Sequence, residues 1–256
     1  MSVRFRCPVS SYHQFDGPHD SAWHRPTLEF SAAHTAVVVM HAWTPPAPGT
    51  LPGWVHAVPY LTTTRHILRD VFPPLLTTVR AAGLAVYHVS GCTPPPAKEP
   101  AVPDETWNAL TAYRAREVFP GAANQADVAI GLANRSLAPE AAPREGEPVV
   151  EDADALHAAC RERGINHLIY IGFAINWCLL MSPAGMVDMR RRGYLCSTIA
   201  EATTAVESRE SAAHNDEYRQ ALWRVAVEFG FVFKLKNFTA ALTSLSSSPT
   251  LTPPSS

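Results

Sequence analysis

At 256 residues, with 46% hydrophobic and only 17% charged side chains, the chain is long enough for one large α/β domain or two small ones. A formal charge of −2 leaves no basic surplus and argues against a general affinity for nucleic acid or anionic membranes. Five irregularly spaced cysteines exclude a disulfide scaffold or a Cys-x-x-Cys metal site. The N-terminus has no apolar signal core and no stretch reaches the roughly 18 apolar residues of a membrane span, so a cytoplasmic setting is expected.

Residues 1–34 are rich in His, Ser and Pro and read as an irregular peripheral arm. The continuous apolar run at 35–41 is rich in β-branched residues and predicts a strand covered on both faces. The pattern over 61–82 is helical, with Pro73-Pro74 expected to split or kink it. Gly83 stops the helix, and 84–90 follows as a second buried strand, completing a βαβ signature. Proline-rich punctuation then surrounds a helix over 104–118 capped by Asp104, and 126–130 reads as a short strand. Asp152 or Asp154 caps a helix running to Arg163, and 167–172 is a third buried strand. A helix over 176–192 is broken by Pro183 and Gly185. A fourth strand at 194–199, an amphipathic helix at 211–229 and a last strand at 231–235 follow. Residues 243–256, nearly all Ser, Thr, Pro and Leu, read as a disordered tail, which leaves 35–242 as the domain.

Strands alternating with helices predict a three-layer, doubly wound, mostly parallel α/β sheet. Ligands of such sheets bind beyond the carboxyl ends of the strands, which puts His41, Ser90 and the loop after Gly172 on one rim. Cys178 lies on that rim at the start of a helix, where free N–H groups favour a thiolate and can hold an oxyanion. It is therefore a candidate nucleophile, set against the alternative of a packed, inert thiol. Packing explains Cys160 and Cys196 better, whereas Cys92 follows a strand end on the rim. His41 is a candidate base, set against a hydrogen-bonded structural histidine, and His88 reads as packing. Trp43, Phe173 and Trp177 offer an aromatic pocket for a small ligand or, alternatively, a subunit interface. His13, His19, His24 and His34 lack metal-ligand spacing, and no Gly-x-Gly-x-x-Gly or P-loop pattern occurs, so neither a metal nor a cofactor is expected.

The run from Gly164 through His167-Leu-Ile-Tyr-Ile-Gly-Phe-Ala-Ile-Asn-Trp-Cys178 to Leu180 resembles the isochorismatase-like cysteine hydrolase superfamily, which includes nicotinamidases and related amidases. Gly185-Met-Val-Asp-Met189, Arg192-Gly-Tyr194 and Glu201-Ala-Thr-Thr-Ala-Val-Glu207 extend the likeness, as do 36–43 and 79–89. The resemblance covers about 35–90 and 145–235 and implies a Rossmann-like sheet, a small-molecule substrate and assembly into homo-oligomers. It also implies an Asp, Lys and Cys triad. Cys178 stands at the nucleophile position and His41 where the Asp belongs, but 149–154 carries no lysine; the chain's lysines are Lys98, Lys234 and Lys236. Arg135 or Arg144 is the candidate to reach the rim in its place. The resemblance further places a non-proline cis peptide at Ala174–Ile175, shaping an oxyanion pocket with Asn176 and Trp177. The Asp and His metal ligands of nicotinamidases are absent from 90–96, which disfavours that activity. Three readings follow. The first is a divergent cysteine hydrolase of a small amide or related C–N bond, using Cys178 and His41. The second is a catalytically inactive member that binds a ligand or serves in assembly. The third is ether hydrolysis of the isochorismatase type, which retention of Cys178 makes less attractive.

Overall fold

Phe5, Cys7 and Val9 are buried while Arg4, Arg6 and Pro8 between them are exposed, a period of two that makes β1 (Arg4–His13) a strand with one face on the core. The computed structural model describes residues 3–14, 21–91 and 102–246. β1 pairs antiparallel with β2 (Ala22–His24) and with β3 (Thr27–Ser31), in register from Arg4 opposite Ser31 to Pro8 opposite Thr27. The expected irregular arm is thus largely sheet. The hydrophobic alternation of 5, 7 and 9 is real but is diluted by the His, Ser and Pro around it.

β4 (Thr35–Met40) is buried at every position, as its β-branched run requires. Helix α1 (Pro52–Ala57) follows, and then α2 (Thr64–His66), which continues through a π turn (Ile67–Val71) into α3 (Phe72–Ala81). Pro73 and Pro74 fall in the first turn of α3, where a missing N–H costs least, and the wide turn before them takes up the disruption. β5 (Ala85–Val89) lies beside β4 in parallel. α4 (Glu105–Glu117) is capped by the Asp104 carboxylate, which accepts from the Trp107 N–H at 2.7 Å.

The run read as a strand at 126–130 lies instead within helix α5 (Gln125–Ala133). A short apolar run does not by itself distinguish strand from buried helix. Here the deciding partner is α1: Asp127 accepts from the Gly53 N–H, and Gly131 leaves room for the Trp54 ring, which a Cβ would meet at 2.1 Å. β6 (Val149–Val150), α6 (Ala153–Glu162, capped by Asp152), β7 (His167–Gly172), α7 (Met186–Arg191) and β8 (Leu195–Thr203) complete the parallel half. Then come α8 (Asp216–Arg224), β9 (Val232–Phe233) and α9 (Leu235–Ser246). α9 occupies 243–246, which read as tail, because Phe238 and Leu242 bury against the core and anchor the helix.

The nine strands among the described residues run in the order β2-β1-β9-β8-β7-β4-β5-β6, with β3 also on β1. From β6 to β9 all neighbours are parallel, while β1, β2 and β3 add an antiparallel end. Alternate side chains of β4 part to the two faces. Val37 and Val39 join a core under α3 and α9, and Ala36, Val38 and Met40 join one under α6, α7 and α8. The sheet is therefore covered on both sides, as a doubly wound three-layer fold must be. No helix among the described residues is long and apolar enough to cross a membrane.

Candidate active site

Counting only the six parallel strands in chain order, their spatial order is 3-2-1-4-5-6, the order of two mononucleotide-binding halves set side by side. The chain leaves β4 toward the face covered by α3 and leaves β7 toward the face covered by α7, so a crevice opens beyond the carboxyl ends of these two strands. Met40 and Gly172 are register partners across that gap. The backbones approach so closely there that a Cβ on Gly172, at φ +125°, would lie 1.9 Å from the Met40 carbonyl oxygen. Glycine is required for that contact, and it sets His41 and the segment after Gly172 side by side in the sheet.

His41 has φ +50° and its N–H donates to the Val89 carbonyl at 3.1 Å, so the residue continues the β4–β5 ladder and then turns away. Its Nε2–H donates to the Gly91 carbonyl at 2.8 Å, which leaves Nδ1 as the lone-pair nitrogen. Nδ1 is buried and has no partner among the described residues. Burial pushes the His41 pKa down to about 4; the bond to Gly91 opposes the shift and the charge of Arg135 adds to it. The imidazole is therefore neutral at pH 7. Trp43 stacks on it at 4.6 Å between ring centroids, with 14° between planes. Residues 42–44 pair with 136–138 through the bonds Ala138 N–H to Ala42 O and Thr44 N–H to Ser136 O, both 2.8 Å. That pairing carries Arg135 over the Trp43 ring, its guanidinium 5.6 Å from the centroid.

The segment after β7 is a π turn (Ile175–Leu179) with only Leu180 and Met181 beyond it before Pro183 and Gly185 end the helix. Cys178 is the fourth residue of this turn, so local N–H groups rather than a long helix dipole surround it. The cis peptide is Phe173–Ala174, one bond earlier than expected. Ile175 is unsuited as an oxyanion donor because its N–H is already held by the Thr204 carbonyl at 2.7 Å; likewise the Trp177 N–H is bound to the Ala174 carbonyl at 3.3 Å. Asn176 exchanges two bonds with the Val206 backbone, both 2.9 Å, and clamps the turn to the end of β8. Phe173 faces the core, stacked on Phe72 at 5.7 Å, and so does not line a pocket. Trp177 is 39% exposed and meets Phe119 edge-on at 6.4 Å.

Cys178 is partly exposed, while Cys7, Cys160 and Cys196 are buried. Burial raises the Cys7 thiol to about 11, Cys160 to about 12 and Cys196 further still. Those three are inert thiols on physical grounds. Cys92 and Lys98 lie outside the described residues. Two further groups, one at the rim and one behind it, leave no signal in the sequence. The buried Oγ1 of Thr204 also has no partner among the described residues. Behind the rim, Glu147 forks onto Arg80 at 2.7 and 2.8 Å and meets Nε2 of His88 at 3.0 Å. Burial favours a protonated Glu147, but Arg80, the Arg144 N–H and His88 outweigh it and hold the carboxyl at about 2. Only the backbone N–H of Arg144 meets Glu147 and its side chain is exposed, whereas Arg135 is the arginine laid over Trp43 at the rim.

Residues 58–228 match the family model described as the isochorismatase domain. The chain belongs to the isochorismatase family. No curated protein matches it, but solved structures do. A cysteine hydrolase from Pseudomonas syringae pv. phaseolicola 1448A is 18% identical, over 84% of this chain and 95% of that one, with a TM-score of 0.55. An isochorismatase-like hydrolase from Alkaliphilus metalliredigens is 16% identical, over 82% of this chain and 99% of that one, with a TM-score of 0.48. The likeness to the Pseudomonas syringae protein, at 18% identity, is one of fold alone. The isochorismatase match contains Cys178 but begins after His41, so the half of the crevice contributed by β4 lies outside it. Within this isochorismatase-family hydrolase fold, 149–154 forms β6 and the start of α6 without a lysine. Lys234 bridges Glu201 at 3.8 Å at the β8–β9 side of the sheet.

Proposed function

We propose that the chain is a cysteine hydrolase of a small amide or related C–N bond, with Cys178 as nucleophile and His41 as proton acceptor. One observation carries this reading: of the described cysteines only Cys178 is partly exposed, and it sits at the switch point of the sheet. The Cys178 sulfur attacks the carbonyl carbon, the thiol proton passes to His41 Nδ1 and then to the departing nitrogen, and water cleaves the resulting thioester. His41 suits the task through its orphaned Nδ1, although a group held near pKa 4 is a weak base. N–H groups of the turn at Ala174 and Asn176 are the remaining oxyanion donors of the expected set. Trp43, Trp177 and Phe119 suit a small aromatic or apolar substrate.

The weak base and the missing lysine favour a second reading, a catalytically inactive member that binds the same class of ligand. Ammonia release from a panel of small amides decides between them. The hydrolase reading expects turnover by the native chain and loss to background in Cys178→Ala; equal rates in both, or none in either, would favour the inactive member.

A homo-oligomer is part of the same proposal. α4 buries none of its residues and leaves Trp107, Leu110 and Tyr113 exposed, and a lone helix of that length is marginal in water. Glu105 at one end and Arg114 at the other suit antiparallel pairing with a second copy. Light scattering of Leu110→Glu against the native chain tests it: the native chain should show the mass of an oligomer and the variant that of a monomer.

A further inference from the structure

A cleft of about 570 Å3 opens at the antiparallel end of the sheet, between β1, β2 and α8. We propose that it is a second binding site, separate from the Cys178 crevice, for a small planar organic anion such as an aromatic carboxylate. Its volume is that of a pocket for one small ligand. Its walls come mostly from parts of the chain that the isochorismatase match does not include. Tyr12, Trp23 and Arg25 precede the match and Lys234 follows it, while Arg219 and Trp223 on α8 lie inside.

The rings of the cleft cluster around Tyr12, which packs at the edge of the core under α8. Tyr12 meets Trp23 edge-on at 5.4 Å and Trp223 edge-on at 6.2 Å, and Trp23 remains 43% exposed. An edge-to-face set of this kind leaves indole faces on which a flat ring can stack. The charges select the sign of the ligand. Among the described lining residues Arg25, Arg219 and Lys234 stand against one acid, Asp216, in a chain whose net charge is −2. The described lining is therefore locally positive in a chain that is not. Two of the cations sit in exposed ion pairs, Arg219 with Asp216 at 3.3 Å and Lys234 with Glu201 at 3.8 Å. Such pairs are weak and yield readily to a bound carboxylate. Aromatic faces plus movable cations are the chemistry of an aryl carboxylate site.

Titration of the full chain with 1-naphthoate, followed by saturation-transfer NMR and calorimetry, tests the assignment. Binding of 1-naphthoate is expected, with 1-naphthylmethylamine and cyclohexanecarboxylate each weaker by about tenfold or more. Arg25→Glu, a change at an exposed position that leaves the core intact, and Trp223→Ala should each weaken 1-naphthoate by about tenfold, whereas Cys178→Ala should leave it unchanged. Three results would overturn the proposal: no binding of 1-naphthoate by the native chain, equal binding of the amine, or binding indifferent to Arg25→Glu. Loss of binding in Cys178→Ala would also overturn it, by placing the ligand in the other crevice.

Discussion

His41 and His167 stand at opposite ends of the two central strands, and their difference separates the working end of the sheet from the structural end. Both are buried, and burial lowers both to a pKa of about 4. At the amino end of β7, His167 is satisfied: Nε2 bonds Ser197 Oγ at 2.8 Å, that oxygen also accepts from the Phe231 N–H, and Phe30 stacks on the ring at 5.4 Å. At the carboxyl end of β4, His41 keeps an orphaned Nδ1 beside a partly exposed thiol segment. Equal burial with unequal satisfaction is the signature that distinguishes packing from a poised site. His88 likewise pairs a bonded Nε2 with an unpartnered Nδ1, so it is the position of His41 at the carboxyl end of the strand, beside the thiol segment, that separates the two.

The comparison is broken or sharpened first by paired substitutions. His41→Asn keeps a residue that tolerates φ +50° and removes the proton acceptor. Turnover should fall about 10²- to 10³-fold in steady-state assays while the unfolding free energy moves by less than about 1 kcal/mol. His167→Ala should do the reverse. It strips a ring from the core and a partner from Ser197, costing about 2–4 kcal/mol in urea unfolding with kcat/KM preserved in the folded fraction.

The pH dependence comes next. A histidine held at about 4 in the native state and near 6.5 when unfolded gives the unfolded chain more protons between those values. The stabilisation is complete above about 6.5 and is lost as pH falls toward 4, at about 3 kcal/mol for each of His41 and His167. Urea midpoints measured from pH 7 to pH 4 should fall accordingly, and His167→Ala should flatten part of the slope. Activity corrected for unfolding should stay level down to an acid limb near 4.

The smallest effect belongs to Arg135. Its charge contributes to lowering His41 from an exposed position, so Arg135→Ala should move the acid limb upward by a few tenths of a unit at low salt and not at high salt. A limb that does not move would remove Arg135 from the site.

Most of the parallel half was legible because its strands are continuous apolar runs that burial on both faces demands, as in 35–40 and 167–172. The antiparallel end was hidden, since three buried alternate residues in β1 carry little signal among His, Ser and Pro, and β2 and β3 have almost none. At the site, Cys178 and His41 could be singled out because strand ends define the rim. Phe173 could not be assigned correctly: whether a side chain after a strand turns to the core depends on a distant partner, here Phe72 on α3. The bonds from Gly91 to His41, and from 136–138 to 42–44, join distant loops and leave no local pattern.

Alkylation by iodoacetamide at pH 7, resolved by peptide mass spectrometry in the native and the urea-unfolded chain, tests the central claim most directly. A nucleophilic Cys178 should react faster in the native chain than in the unfolded one, while Cys7, Cys160 and Cys196 react only after unfolding. If Cys178 is as protected in the native chain as those three, it is a packing residue and the crevice is not a thiol site.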